Sequence, residues 1–382
     1  LFAIGSILLL GLATDFLGRR TFLPRVTLLL VFGIIVGEGV LGLIPASVSS
    51  RFEIIADTAL LMIGFLLGGR LTLKSLRNEG RQLVWISVSA TLGTTLVITL
   101  ALVAVGASLE IAVLLGCIGA ATAPCATVDT VMEAGAKSAF SRLLLAIVAI
   151  DDAWALILFS LGLALISLLN GMQGSSAVVL GAGYEIVGAI LLGGLIGLPA
   201  AYLTGRISPG QPMLTEALGL VFICGGAAIW LEVSFLIAAM TMGAVIANLA
   251  RHHEYPFHEI ENVEWPFMAV FFVLAGASLE FGMLTEIGLI GMVFVLARVG
   301  GKLLGTWTGA LACQAGKQVR HWMGMALLPQ AGVAIGMALL TADRFPEYRQ
   351  NILSTVISTT VLFELIGPVF TRMALMHTQE DS

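Results

Sequence analysis

Two adjacent carboxylates, Asp151 and Asp152, stand inside the run "LLLAIVAIDDAWALILFSLGLALISLL" (143–169). Burying an ionised carboxylate among apolar residues is costly, and two without compensation are worse. Each must therefore hold a proton, a cation or a basic partner. Consecutive helix side chains point about 100° apart, so the two carboxylates serve different partners. Capping at a helix end does not explain them, because the apolar run continues to Leu169. A basic partner is available in "FVLARVGGKLLGTW" (294–307), where Arg298 and Lys302 lie four residues apart on one helix face. Lys302 sits near mid-span among glycines. Arg298 lies closer to the outer half, free to snorkel or to pair with Glu280 or Glu286. A buried lysine also changes protonation more readily than an arginine, which suits proton coupling.

The elements that must position these groups are membrane helices. The chain has 382 residues, 58% hydrophobic and 11% charged, with a mean hydropathy of +1.01. Soluble domains carry about 25% charged residues, so a polytopic membrane protein is expected. Cys117, Cys125, Cys224 and Cys313 lie in apolar segments without CxxC spacing and read as small buried residues. The opening "LFAIGSILLLGLATDFLGRR" places its arginines after the apolar run and reads as a membrane helix, not a signal peptide. Its missing Met points to a trimmed start.

Charged and Pro/Gly clusters divide the chain into an expected thirteen spans: 1–18, 24–44, 53–70, 82–106, 110–133, 138–169, 178–204, 212–230, 233–250, 263–279, 284–312, 319–341 and 350–374. With the N-terminus outside, fourteen of the nineteen Lys and Arg residues fall on inside loops. Three (Arg51, Arg344, Arg349) fall outside, and Arg298 and Lys302 lie within a span. That bias is what the positive-inside rule requires, and it makes the C-terminus cytoplasmic. The segment "RHHEYPFHEIENVEW" gathers three of the five histidines and reads as a solvated interfacial loop rather than a pH sensor.

Two spans carry interruptions. "GAATAPCATVDTVMEAG" in the fifth and "MALLPQAGVAIGMALL" in the twelfth each place a proline among small residues at mid-span, and the helix should break there. Broken backbone at membrane depth is tolerated only against protein or a cavity. Pro124 and Pro329 lie 205 residues apart, and "FLLGGRLTL" (65–73) matches "FVLAGASLEF" (272–281) at about 207: Phe65 with Phe272, Leu67 with Leu274, Gly69 with Gly276. Each pair is seven spans apart. An odd number inserts the two halves upside down, the inverted-repeat architecture of secondary transporters.

With these motifs quoted, "TAPCATVD", "AIDDAW", "ARVGGK", "LLPQAGVAIG" and "FELIGP" together make the chain resemble the monovalent cation:proton antiporter superfamily, in its sodium/proton antiporter branch. The resemblance runs from the third span to the thirteenth. It implies an all-α fold in which two interrupted helices cross near the bilayer midplane, and a homodimer whose dimerisation domain holds a mobile core. On this chain it implies dimerisation segments at 1–81 and 212–281, core segments at 82–177 and 282–382, and a linker helix at 178–211. It further implies Asp152 as the ion-binding carboxylate and Asp151 as the partner of Lys302. Thr127 resembles an accessory oxygen ligand, with Thr122, Pro124, Cys125, Pro329 and Gln330 at the crossing. Asp129 and Glu364 are accessory positions. Asp129 has the alternative of offsetting a half-helix dipole, and Gln330 and Glu364 that of structural or dipole-balancing residues. Potassium-efflux relatives usually carry a long cytoplasmic nucleotide-binding tail, and the sequence ends at Ser382.

The expected function is secondary antiport of sodium, or lithium, against protons, electrogenic, in a bacterial inner membrane. Potassium/proton antiport is the alternative. No enzyme activity, cofactor or nucleic acid is expected. The partners are a monovalent cation at Asp152, protons, lipid and a second copy of the chain. An intramembrane aspartyl protease would need carboxylates facing each other from different helices. A sodium-coupled symporter has little use for Lys302 in the ion site, and a cation channel is the remaining, weaker alternative.

Overall fold

The computed structural model describes residues 5–9, 11–12, 14, 23–37, 41–43, 52–136, 138–169, 175–204, 213–250, 254–277, 288–330 and 332–379. Among these residues it is helical throughout, with no strand. In chain order the helices are α1 (Arg25–Val36), α2 (Phe52–Arg70), α3 (Leu73–Ala104), α4 (Leu109–Ile118), α5 (Pro124–Glu133), α6 (Ala139–Leu169) and α7 (Ser175–Thr204). They continue with α8 (Met213–Trp230), α9 (Phe235–Leu249), α10 (Glu254–Ala277), α11 (Leu289–Ala312), α12 (Lys317–Ala326), α13 (Gly332–Arg344) and α14 (Arg349–Gln379), the last preceded by a 3₁₀ turn at Pro346–Tyr348.

Stretches of α3, α6, α7, α10, α11 and α14 are long and apolar enough to cross a membrane alone. Shorter apolar helices, among them α1, α4, α8, α9 and α13, need neighbours to do so. The expectation of thirteen spans rests partly on residues 1–18, many of which lie outside the described ones. Arg51, Glu280, Glu286, His252 and His253 also lie outside them. From Glu254 onward the histidine-bearing segment is the start of α10, a helix and not the expected loop. His258 there is exposed and faces Glu261 at 3.4 Å.

Local chemistry sets the ends of these helices. Ser108 caps α4 and Ser234 caps α9, each hydroxyl accepting from a backbone N–H three residues on. Between α8 and α9 the "LEVS" link turns sharply, with Glu232 left-handed at φ 54°. Close packing then depends on glycine. A Cβ on Gly301 of α11 would sit 2.7 Å from the Thr94 Cα of α3, and one on Gly305 would sit 2.9 Å from Ala90 Cα. These two helices therefore meet backbone to backbone, as small residues permit in membrane proteins. α1 packs on α10 and α2 on α9.

Candidate functional site

The helix breaks fall where the prolines predict. α4 ends at Ile118 and α5 begins with Pro124 at its first position, where a missing N–H costs nothing. α12 ends at Ala326 and α13 begins at Gly332. The two irregular stretches touch: the Ala123 N–H donates to Pro329 O at 2.9 Å. Thr122, Pro124, Cys125, Pro329 and Gln330, the residues expected at a crossing, are all buried there.

Each break exposes carbonyls that no helix satisfies. Arg298, fully buried, spans both. Its Nε donates to Gly119 O (3.0 Å), Nη1 to Leu328 O (2.7 Å) and Nη2 to Ala121 O (2.9 Å), with Pro329 O at 3.4 Å. Its guanidinium lies 4.2 Å from the Phe363 ring centre. Arg298 does not snorkel. A planar fork with five donors is the one side chain that reaches four carbonyls from two chain segments at once.

Lys302, one turn on, is also fully buried. Its Nζ donates to Ala120 O (2.7 Å), Thr122 Oγ1 (2.8 Å) and Asp151 Oδ2 (3.1 Å). Asp151 receives further hydrogen bonds from Thr122 Oγ1 and from Thr91 Oγ1 at 3.1 Å. Asp151 is thus held by an ammonium and two hydroxyls.

Asp152 is the opposite case. It is 3% exposed, and neither carboxylate oxygen has a hydrogen-bond partner. Two neighbouring residues of α6 so divide into one saturated and one vacant carboxylate, because their side chains diverge. Thr127, fully buried in the first turns of α5, donates its hydroxyl to Ala123 O at 2.9 Å, which leaves its oxygen lone pairs free. No hydrogen bond joins it to Asp152.

Asp129 stands apart from this centre. The Arg25 side chain grips both its oxygens, and the Arg25 backbone N–H donates to Glu133 Oε2 at 2.9 Å. Arg372 Nη1 reaches Glu133 Oε1 (3.4 Å) and Leu23 O (2.9 Å). Arg25 and Arg372, near the ends of the expected spans 24–44 and 350–374, are helix residues in an ion-pair network that ties α1 to α5 and α14. Glu364 and Gln330 join neither network. Sequence reasoning missed Thr91, whose hydroxyl has no signature distinguishing it from other membrane threonines.

The family described as sodium/hydrogen exchanger, transmembrane, matches residues 4–376. The chain belongs to the sodium/hydrogen exchanger family. The exchanger is therefore a multi-pass membrane protein of a cation/proton antiporter family, not an enzyme. It is 25% identical over 379 residues to the ammonium/H(+) antiporter subunit AmhT of Alkalihalophilus pseudofirmus, covering 95% of this chain and 92% of that protein. It is 27% identical over 203 residues to the glutathione-regulated potassium-efflux system protein KefC of Escherichia coli O139:H28. That match covers 51% of the exchanger and 32% of the relative's length. Its fold matches the structure of the sodium proton antiporter MjNhaP1 from Methanocaldococcus jannaschii at pH 8. The TM-score is 0.72 at 19% identity, over 98% of this chain and 94% of that one.

Proposed function

We propose that the exchanger trades sodium, or lithium, for protons at Asp152 by alternating access. The observation that carries this reading is the contrast on α6: Asp151 is saturated by Lys302 and two hydroxyls, while both Asp152 oxygens are buried and vacant. A vacant buried carboxylate must be neutralised, and a proton and a hard cation are the candidates that can leave again. The two compete for the same oxygens, so loading one releases the other. Thr127, with unused lone pairs at the start of α5, is a fitting second oxygen ligand.

The wider arrangement follows from the same reading. Shifting α4 (109–118) by 207 gives 316–325, against 317–326 for α12, and shifting α5 (124–133) gives 331–340, against 332–344 for α13. This correspondence supports an inverted repeat. The core consists of 82–177 and 282–382, moving against 1–81 and 212–281, which form the dimer contact, with 178–211 as the link. The chain sits in the inner membrane with its N-terminus outside. Potassium or ammonium is the competing cargo, favoured by the two relatives named above.

The test is proton movement in proteoliposomes on adding sodium, lithium, potassium or ammonium in turn. Sodium and lithium should drive exchange, and Asp152→Asn should abolish it while leaving a folded protein, since an amide can neither titrate nor supply a full charge. Near-normal exchange by Asp152→Asn removes Asp152 from its role. Exchange with potassium or ammonium alone replaces the cargo.

A further inference from the structure

Beyond the centre, one face of α14 carries a stripe of polar and small residues. Thr360, Glu364, Gly367 and Thr371 are spaced i, i+4, i+7 and i+11, so they share a stripe. That stripe faces the second break. Thr371 donates to Ala326 O, the end of α12, at 3.0 Å, and a Cβ on Gly367 would sit 2.6 Å from Pro329 Cα. Glu364 lies one turn from that contact, between Phe363 on the Arg298 guanidinium and Leu365, whose carbonyl accepts from Thr27 of α1 at 3.1 Å.

Glu364 is 8% exposed and makes no ion pair or hydrogen bond among the described residues. Thr360, 1% exposed, has an unpartnered hydroxyl. Gln330 follows the Pro329 that Gly367 touches. It is fully buried, and neither its amide oxygen nor its nitrogen has a partner. Unsatisfied buried polar groups are rare in proteins, and Gln330 and Thr360 are two of them on elements that meet at Gly367 and Pro329, with the Glu364 carboxylate one turn from that contact. A carboxylate, an amide carbonyl and a hydroxyl are hard oxygen donors, the set that suits an unpolarisable cation.

We propose that Glu364, Gln330 and Thr360 form a second monovalent-cation station, separate from Asp152, which a cation occupies on its way to or from that residue. The station gives a cation leaving Asp152 a full negative charge to move to, so that it is not stranded among apolar side chains. The inference rests on the exchange reading above and deepens it.

The test measures binding separately from transport, on the purified full chain. Thermal unfolding is followed against sodium, with N-methyl-D-glucamine as the ionic-strength control. Asp152→Asn should keep a saturable sodium-dependent stabilisation, and Asp152→Asn with Glu364→Gln should lose it. In proteoliposomes, Glu364→Gln should raise the sodium concentration for half-maximal exchange by roughly tenfold, and Gln330→Ala should raise it by a smaller factor. No sodium-dependent stabilisation in Asp152→Asn, or one that survives in the double variant, overturns the station. Should Asp152→Asn not fold, unchanged half-maximal concentrations in Glu364→Gln and Gln330→Ala overturn it alone. If the wild-type chain exchanges no cation, the function fails; if it exchanges normally and Glu364→Gln is indistinguishable, only the station fails.

Discussion

Replacing Lys302 by Met removes the ammonium while keeping most of the side-chain volume, so the cost is electrostatic and not a cavity. Three contacts go with it. Ala120 O loses its donor at 2.7 Å, Thr122 Oγ1 its donor at 2.8 Å, and the Asp151 carboxylate its counter-charge at 3.1 Å. Asp151 and Lys302 are both fully buried, so no water replaces the ammonium. Breaking one partner of such a pair costs about 3–5 kcal/mol, most of it from the charge left behind. Asp151→Asn in the Lys302→Met background removes that stranded charge, and its amide oxygen still accepts from one of the Thr91 and Thr122 hydroxyls while its NH2 donates to the other. The double variant should therefore be more stable than Lys302→Met alone, with a coupling of about 1–3 kcal/mol. Equilibrium unfolding in mixed detergent micelles, run on all four proteins of the cycle, reads this directly. Additive effects within about 0.5 kcal/mol would refute the pairing as an energetic unit.

The Arg25–Asp129 pair is a second buried ion pair, with side-chain exposures of 14% and 2%. Arg25→Met should destabilise by about 3 kcal/mol or more, and Asp129→Asn should recover part of that in the same unfolding assay. Arg298→Lys should keep the charge but lose the fork across Gly119, Ala121, Leu328 and Pro329, leaving at least two buried carbonyls unpaired at about 1–3 kcal/mol each. Full stability in Arg298→Lys would show that charge alone holds the breaks. Exchange should be electrogenic, with rates that follow an imposed membrane potential in proteoliposomes; rates indifferent to it mean one-for-one exchange.

The sequence carried the centre because its signals are expensive ones. Carboxylates within an apolar run, a lysine among glycines and prolines at mid-span have few structural explanations, and the structure brings these segments together. Helix ends were harder to read. α3 begins at Leu73 and α10 at Glu254, nine residues before the apolar runs expected from 82 and 263. Hydropathy marks where lipid begins, whereas a polar helix continues beyond it. The partners of Arg298 were illegible for a different reason: they are backbone carbonyls, which every residue carries. Arg25 and Asp129 lie 104 residues apart, and nothing local to either announces the other. Glu364 was visible as a carboxylate but not as a vacant one, because vacancy is a property of its surroundings.

The charges around the crossing show why one aspartate is held and the other free. The C-terminal ends of α4 and α12 together carry about one negative charge from their aligned peptides. Arg298 and Lys302 supply two positive charges to those ends, and Asp151 offsets the surplus. That group is balanced without Asp152. The opposite ends, starting at Pro124 and Gly332, carry about one positive charge, and Ala123 provides no side-chain cap for α5. An ionised Asp152 can be stabilised by them between cargoes. A proton or a sodium ion on Asp152 leaves the same net charge, so exchange at that carboxylate alone moves no charge per cycle. An electrogenic cycle needs a second proton carrier within the same group. Lys302 is the candidate: in such a cycle it would give up its proton when Asp151 is drawn from it toward the incoming cation, and the 3.1 Å contact would open in each turnover.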